Sequence, residues 1–113
     1  MTDKDCSNIK LPTLSKVSSL MRNNKWVTRN YRILSSFVIG SVAAGTAGDD
    51  SDIDIAIIIP KVKGKSALKV TEHYHARFTA NHQMPHFDKR RLDFQFFYEH
   101  DSALLAYPKI QLS

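Results

Sequence analysis

Cysteine is nearly missing from this sequence. Cys6 stands alone among 113 residues, so no disulfide can form within the chain. A lone thiol fits a reducing compartment, and the expectation is a cytoplasmic protein. Long apolar runs are missing too. The run over residues 53–59 is too short, and too charged at its start, to span a bilayer. Asp3, Lys4 and Asp5 stand where a secretion signal would be apolar, so none is expected. There is no internal repeat and no long low-complexity tract. Acid is in modest deficit: 16 Lys and Arg against 11 Asp and Glu leave a net charge of +5. That permits phosphate-bearing partners without demanding them. The loose basic cluster of Arg22, Lys25, Arg29 and Arg32 reads as a solvated face rather than a nucleic-acid surface. The length suits one domain, expected over residues 13–113, behind a flexible segment at 1–12.

What is present is concentrated in residues 37–59, FVIGSVAAGTAGDDSDIDIAIII. An apolar run ends abruptly at Gly40-Ser41, and small residues follow. Asp49, Asp50 and Ser51 read as a turn. Asp52-Ile53-Asp54 then opens a second apolar run that ends at Pro60. The pattern is strand, tight turn, short helix, loop, strand. Asp52 and Asp54 lie two apart at a strand start, so they face the same way, with Cα atoms about 6.6 Å apart. Two carboxylates that close repel, and either a proton or a cation must relieve them. Hard divalent cations such as Mg²⁺ prefer carboxylate oxygens and bring substrate phosphates with them. A Gly-Ser turn leading into a helix offers free backbone N–H groups and a hydroxyl to an anion.

Gly40-Ser41, ten residues, then Asp52-x-Asp54 resembles the signature of the nucleotidyltransferase superfamily that includes DNA polymerase beta. The resemblance is closest over residues 33–59, to the smallest branch, the minimal nucleotidyltransferases. It extends more weakly to Asp93, where the family carries a third carboxylate. It implies an α/β (α+β) fold: a small mixed sheet with helices mainly on one face. It implies transfer of a nucleoside monophosphate from an NTP, taken as ATP, with two Mg²⁺ ions. Asp52, Asp54 and Asp93 would be the catalytic and metal-binding residues. Gly40, Ser41 and Ser51 would bind the nucleotide. The acceptor it suggests is a partner protein, as in nucleotidyltransferase antitoxins that modify a HEPN ribonuclease toxin. A small-molecule hydroxyl, with the site completed by a homodimer, and a non-catalytic binding module remain alternatives. One departure stands out: Val42 and Ala44 occupy positions where the family often has a basic residue after Gly-Ser.

The remaining elements can be placed around that unit. Thr13 or Ser15 can cap a helix whose stripe is Leu14, Val17, Ser18 and Met21. Trp26 and Val27 read as packing residues. Residues 33–39 form the first strand, 41–47 a short helix, and 52–59 a central strand buried on both faces. Lys61, Lys63 and Lys65 lie in a solvated loop. Ser66 caps a helix expected to run to about Gln83. His73 and His75 are two apart on it, so they diverge and cannot share a metal. A substrate contact by one of the histidines stays open. Residues 92–98, LDFQFFY, form a third strand with Asp93, Gln95 and Phe97 on one face. An Asp inside an aromatic strand needs a buried partner or a metal. Residues 103–107 could form a last helix before Pro108.

Overall fold

The computed structural model describes residues 9–22, 25–79 and 85–113. Cys6, His82 and Gln83 lie outside the described residues. Two helices, α1 (Leu14–Arg22) and α2 (Lys25–Asn30), precede strand β1 (Ser35–Ile39). A one-turn helix α3 (Gly40–Ala44) leads to β2 (Ile53–Ile59). Then come α4 (Ala67–Thr79), β3 (His86–Phe87), β4 (Arg90–Tyr98), α5 (Ser102–Leu105) and β5 (Ile110–Gln111). The sheet order is β3-β4-β2-β1-β5. β2 runs parallel to β4 and antiparallel to β1, so the sheet is mixed as expected.

Burial follows side-chain alternation. Ile53, Ile55, Ile57 and Ile59 of β2 join Leu92, Phe94 and Phe96 of β4 in one core. Val17, Met21 and Val27 from the first two helices, Val42 from α3, and Val70 and Tyr74 from α4 cover that face. Helices therefore sit mainly on one side. The other face holds a smaller cluster: Ile39, Ala56, Ile58 and Phe97, closed by Leu104 of α5. β2 is thus apolar on both faces past Asp54, as its sequence implies. Thr13 Oγ1 caps α1 at Lys16 N, 3.0 Å, and Ser66 Oγ caps α4 at Lys69 N, 3.1 Å.

Several boundaries differ from expectation for identifiable reasons. α3 stops at Ala44 because Gly45 adopts φ 83°, a left-handed C-cap. β4 begins two residues early, at Arg90, because a hairpin with β3 pairs Phe87 with Arg90 and His86 with Arg91. α2 and β5 are further elements that the sequence pattern did not announce; β5 has only two residues and borrows its order from β1. α4 also guards the outer edge of β4. Thr71 Oγ1 accepts from Phe96 N at 2.8 Å, and His75 Nε2 lies 2.9 Å from the Phe94 carbonyl, which accepts its hydrogen. Unpaired edge groups are satisfied in this way. Among the described residues, no helix is long and apolar enough to cross a membrane.

Candidate active site

β1 and β2 deliver the first part of the site. Gly40 follows directly on β1 with φ 71°, a conformation that L side chains rarely adopt. Its bare backbone has a specific use. A Cβ at position 40 would overlap Oδ2 of Asp54 and stand 3.1 Å from its Cγ. Gly40 lets the Asp54 carboxylate pack against the start of α3. This is an additional reason for glycine beside the anion-binding reason read from the turn.

β4 delivers the second part. The parallel register sets Asp54 abreast of Asp93, between the pairs Ile53–Leu92 and Ile55–Phe94. The Asp54 pKa is raised to about 6, first by burial, then by the Asp93 charge, a side-chain hydrogen bond to Asp93, and the Asp52 charge. Asp54 therefore holds its proton more tightly than an ordinary aspartate does. Asp93 Oδ1 is buried and has no hydrogen-bond partner. His75 Nε2 lies 3.2 Å from it, close enough for charge attraction, but the angular geometry does not make a hydrogen bond. The ring is committed to the Phe94 carbonyl instead. Burial, followed by the Asp93 charge, also pushes the nearby Tyr74 hydroxyl well up.

Asp52 stands one residue before β2 and is held differently. The Arg91 guanidinium forks onto it, Nε to Oδ1 at 3.3 Å and Nη2 to Oδ2 at 3.1 Å. Arg90 ties the preceding loop, donating from Nη1 to the carbonyls of Gly48 at 3.1 Å and Ser51 at 2.7 Å. The Ser51 hydroxyl accepts from Gly48 N at 2.8 Å, closing the turn. Ser41 lies in the first turn of α3.

The structure therefore brings Asp52, Asp54 and Asp93 to one end of β2 and β4, with Gly40 and Ser41 on the β1 side. Among the described residues, no three His, Cys, Asp or Glu side chains stand arranged as a ready metal-ligand set. The residues nevertheless fit a divalent cation. A buried carboxylate oxygen makes no hydrogen bond, and two carboxyls stand abreast at a position where only glycine leaves room. Arg91, Arg90 and Thr71 take parts that the sequence pattern did not assign, and His75, one of the histidines left open to a substrate contact, stands beside Asp93. Arg91 was legible in part: it shares a strand face with Asp93, two residues on, as Asp52 does with Asp54.

A mixed sheet with helices on one face and carboxylates on two adjacent parallel strands defines a nucleotidyltransferase-type core. The family model of the nucleotidyltransferase domain matches residues 21–110, and the chain belongs to that family, within the polymerase-beta-like superfamily. Neither the curated proteins nor the solved structures yield a match. Family membership supports nucleotidyl transfer and a nucleotide substrate.

Proposed function

We propose that the protein transfers AMP from ATP to a hydroxyl acceptor, with Mg²⁺. One observation carries the reading: Asp54 and Asp93 stand abreast on parallel strands, with a buried Asp93 oxygen that makes no hydrogen bond. In the reaction the acceptor oxygen bonds to the α-phosphorus. The bond from that phosphorus to the bridging oxygen breaks, and pyrophosphate leaves. Asp52, Asp54 and Asp93 would hold a pair of Mg²⁺ ions, whose chemistry is neutralisation of phosphate charge and activation of the acceptor oxygen. Gly40 and Ser41 meet the β- and γ-phosphates with backbone N–H groups and one hydroxyl. Ser51, fixed by Gly48 and Arg90, borders the nucleotide. Asp93 Oδ1 takes the acceptor's proton, with His75 Nε2 3.2 Å away.

Positioning supplies much of the rate in such a transfer, so small displacements are costly. The acceptor hydroxyl comes from a separate molecule, and a partner protein is the form to examine first. The experiment is label transfer from α-labelled ATP with Mg²⁺, followed by mass spectrometry of candidate partners. Asp93→Ala and Asp93→Glu should each lose at least about 100-fold, because a carboxylate is removed or misplaced by about 1 Å or more. Wild-type protein that moves no label to any acceptor, and shows no Mg²⁺-dependent rise in melting temperature, would overturn the reading.

A further inference from the structure

The three carboxylates are met by different groups. Asp54 lies against bare backbone at Gly40, Asp93 lies 3.2 Å from His75 Nε2, and Asp52 is forked by Arg91. Of these, only the Arg91 fork engages both oxygens of a carboxylate with a full permanent charge. Both Asp52 oxygens are engaged by that fork, and no three-ligand set stands assembled among the described residues. A cation and Arg91 must therefore compete for Asp52.

The same guanidinium has somewhere to go. Arg91 is about half exposed, with 55% of its side chain accessible against 31% for Asp52. It lines a cavity of about 330 Å³ that holds the carboxylates of Asp49, Asp50 and Asp52 as well as the cations Lys89 and Arg90. That volume lies at the lower end of small-ligand sites. Residues 40–48, GSVAAGTAG, contain no Lys or Arg to meet a polyphosphate on the β1 side. The nearest cations on the other side of the carboxylates come from the β3–β4 hairpin.

We propose that Arg91 is an exchangeable counter-ion: it holds Asp52 while the site is empty and passes to the nucleotide's polyphosphate once Asp52 is claimed by a divalent cation. The inference rests on the nucleotidyl-transfer reading and deepens it. Arg91 thereby couples metal loading to nucleotide binding, and it substitutes for the missing basic residue after Gly40-Ser41. Arg91 is a positioning residue toward Asp52 and a binding residue toward phosphate. An empty site is kept from collecting a stray cation without substrate, since cation binding alone must break a forked ion pair.

The test uses the full chain and reads binding alone. Mn²⁺ affinity is measured by calorimetry or paramagnetic resonance for wild type, Arg91→Gln and Arg91→Lys. Affinity for a non-hydrolysable ATP analogue is then measured at saturating Mn²⁺. Arg91→Gln should bind Mn²⁺ without nucleotide about 3- to 10-fold more tightly, the range expected for losing a competing, partly exposed ion pair. It should bind the analogue about tenfold or more weakly, as for a lost hydrogen bond to a charged group. Arg91→Lys, which keeps the charge but not the fork, should fall between. Melting curves without metal confirm that each variant is folded. Unchanged or weaker Mn²⁺ binding by Arg91→Gln, or unchanged analogue affinity, overturns the exchange. Wild type that binds Mn²⁺ but no analogue brings down the nucleotidyl-transfer reading, and the exchange with it.

Discussion

The two flanks of the carboxylates handle charge in opposite ways. On the β1 side, residues 40–48 carry no charged side chain, and Asp54 packs against bare backbone at Gly40. On the β3–β4 side, Lys89, Arg90 and Arg91 crowd one hairpin, and Asp52 is held by a fork of hydrogen bonds. One flank depends on close approach and the other on cations. Shape is intolerant of a single added carbon, because packed backbone cannot give way. A salt bridge at a half-exposed position is softer, since water can replace either partner. Failures on the two flanks should therefore look different.

The largest effect is expected from Gly40→Ala. The new methyl meets the Asp54 carboxylate, and φ 71° is strained for alanine. Label transfer should fall by at least about 100-fold, as expected when a catalytic group is displaced. Melting should report a loss of about 1–2 kcal/mol. Wild-type activity in this variant would dissolve the contrast between the flanks.

Arg90→Met tests the other flank through structure. It strips the Gly48 and Ser51 carbonyls of their shared donor. Stability should drop by about 1–2 kcal/mol, and amide exchange in residues 48–51 should quicken, while the Asp54–Asp93 pair stays in register. Protection unchanged in that loop would show that Arg90 does not hold it.

The pH dependence sharpens the comparison further. Burial and the neighbouring carboxylates push Asp54 up to about 6 in the folded chain, from an ordinary 3.8. The folded state therefore binds the extra proton between those values. This contribution to stability is full below about pH 4 and is lost as pH rises through about 6. In EDTA, Asp54→Asn should flatten the fall in melting temperature between pH 4 and 7. It should also make the protein about 1 kcal/mol more stable at pH 7, once solvent screening at this half-exposed site is allowed for. Identical pH profiles for variant and wild type would show that Asp54 is not the group behind the fall.

The smallest effect concerns the hairpin turn. Asp88 and Lys89 both adopt positive φ, 50° and 69°, where a two-residue turn favours Gly at the second place. Lys89→Gly should stabilise the fold by about 0.5–1 kcal/mol. A stabilised variant with weaker ATP-analogue binding would show that the lysine is kept for its charge at the expense of the turn. Lower stability would mean that the side chain supports the hairpin.

Much of the site could be read from the chain by itself, because it lies in local patterns. Alternation put Asp52 and Asp54 on one face, and the apolar run after them required a strand covered on both sides. Gly40-Ser41 announced a break between strand and helix. Asp93 stood out because an ionisable group in LDFQFFY needs a reason. Only the tertiary structure decided what these residues meet. β2 and β4 are separated by α4 and the β3 hairpin, and no sequence spacing sets their register. Packing of Ile53, Ile55 and Ile57 beside Leu92, Phe94 and Phe96, under Tyr74 of α4, does that. The register then places Asp54 beside Asp93 and leaves Arg91 abreast of Asp52. It also aligns the open edge of β4 with His75 and Thr71. Chemistry-bearing residues follow from local periodicity, whereas their partners follow from the pairing of distant strands, which a side chain's own neighbours in sequence do not specify.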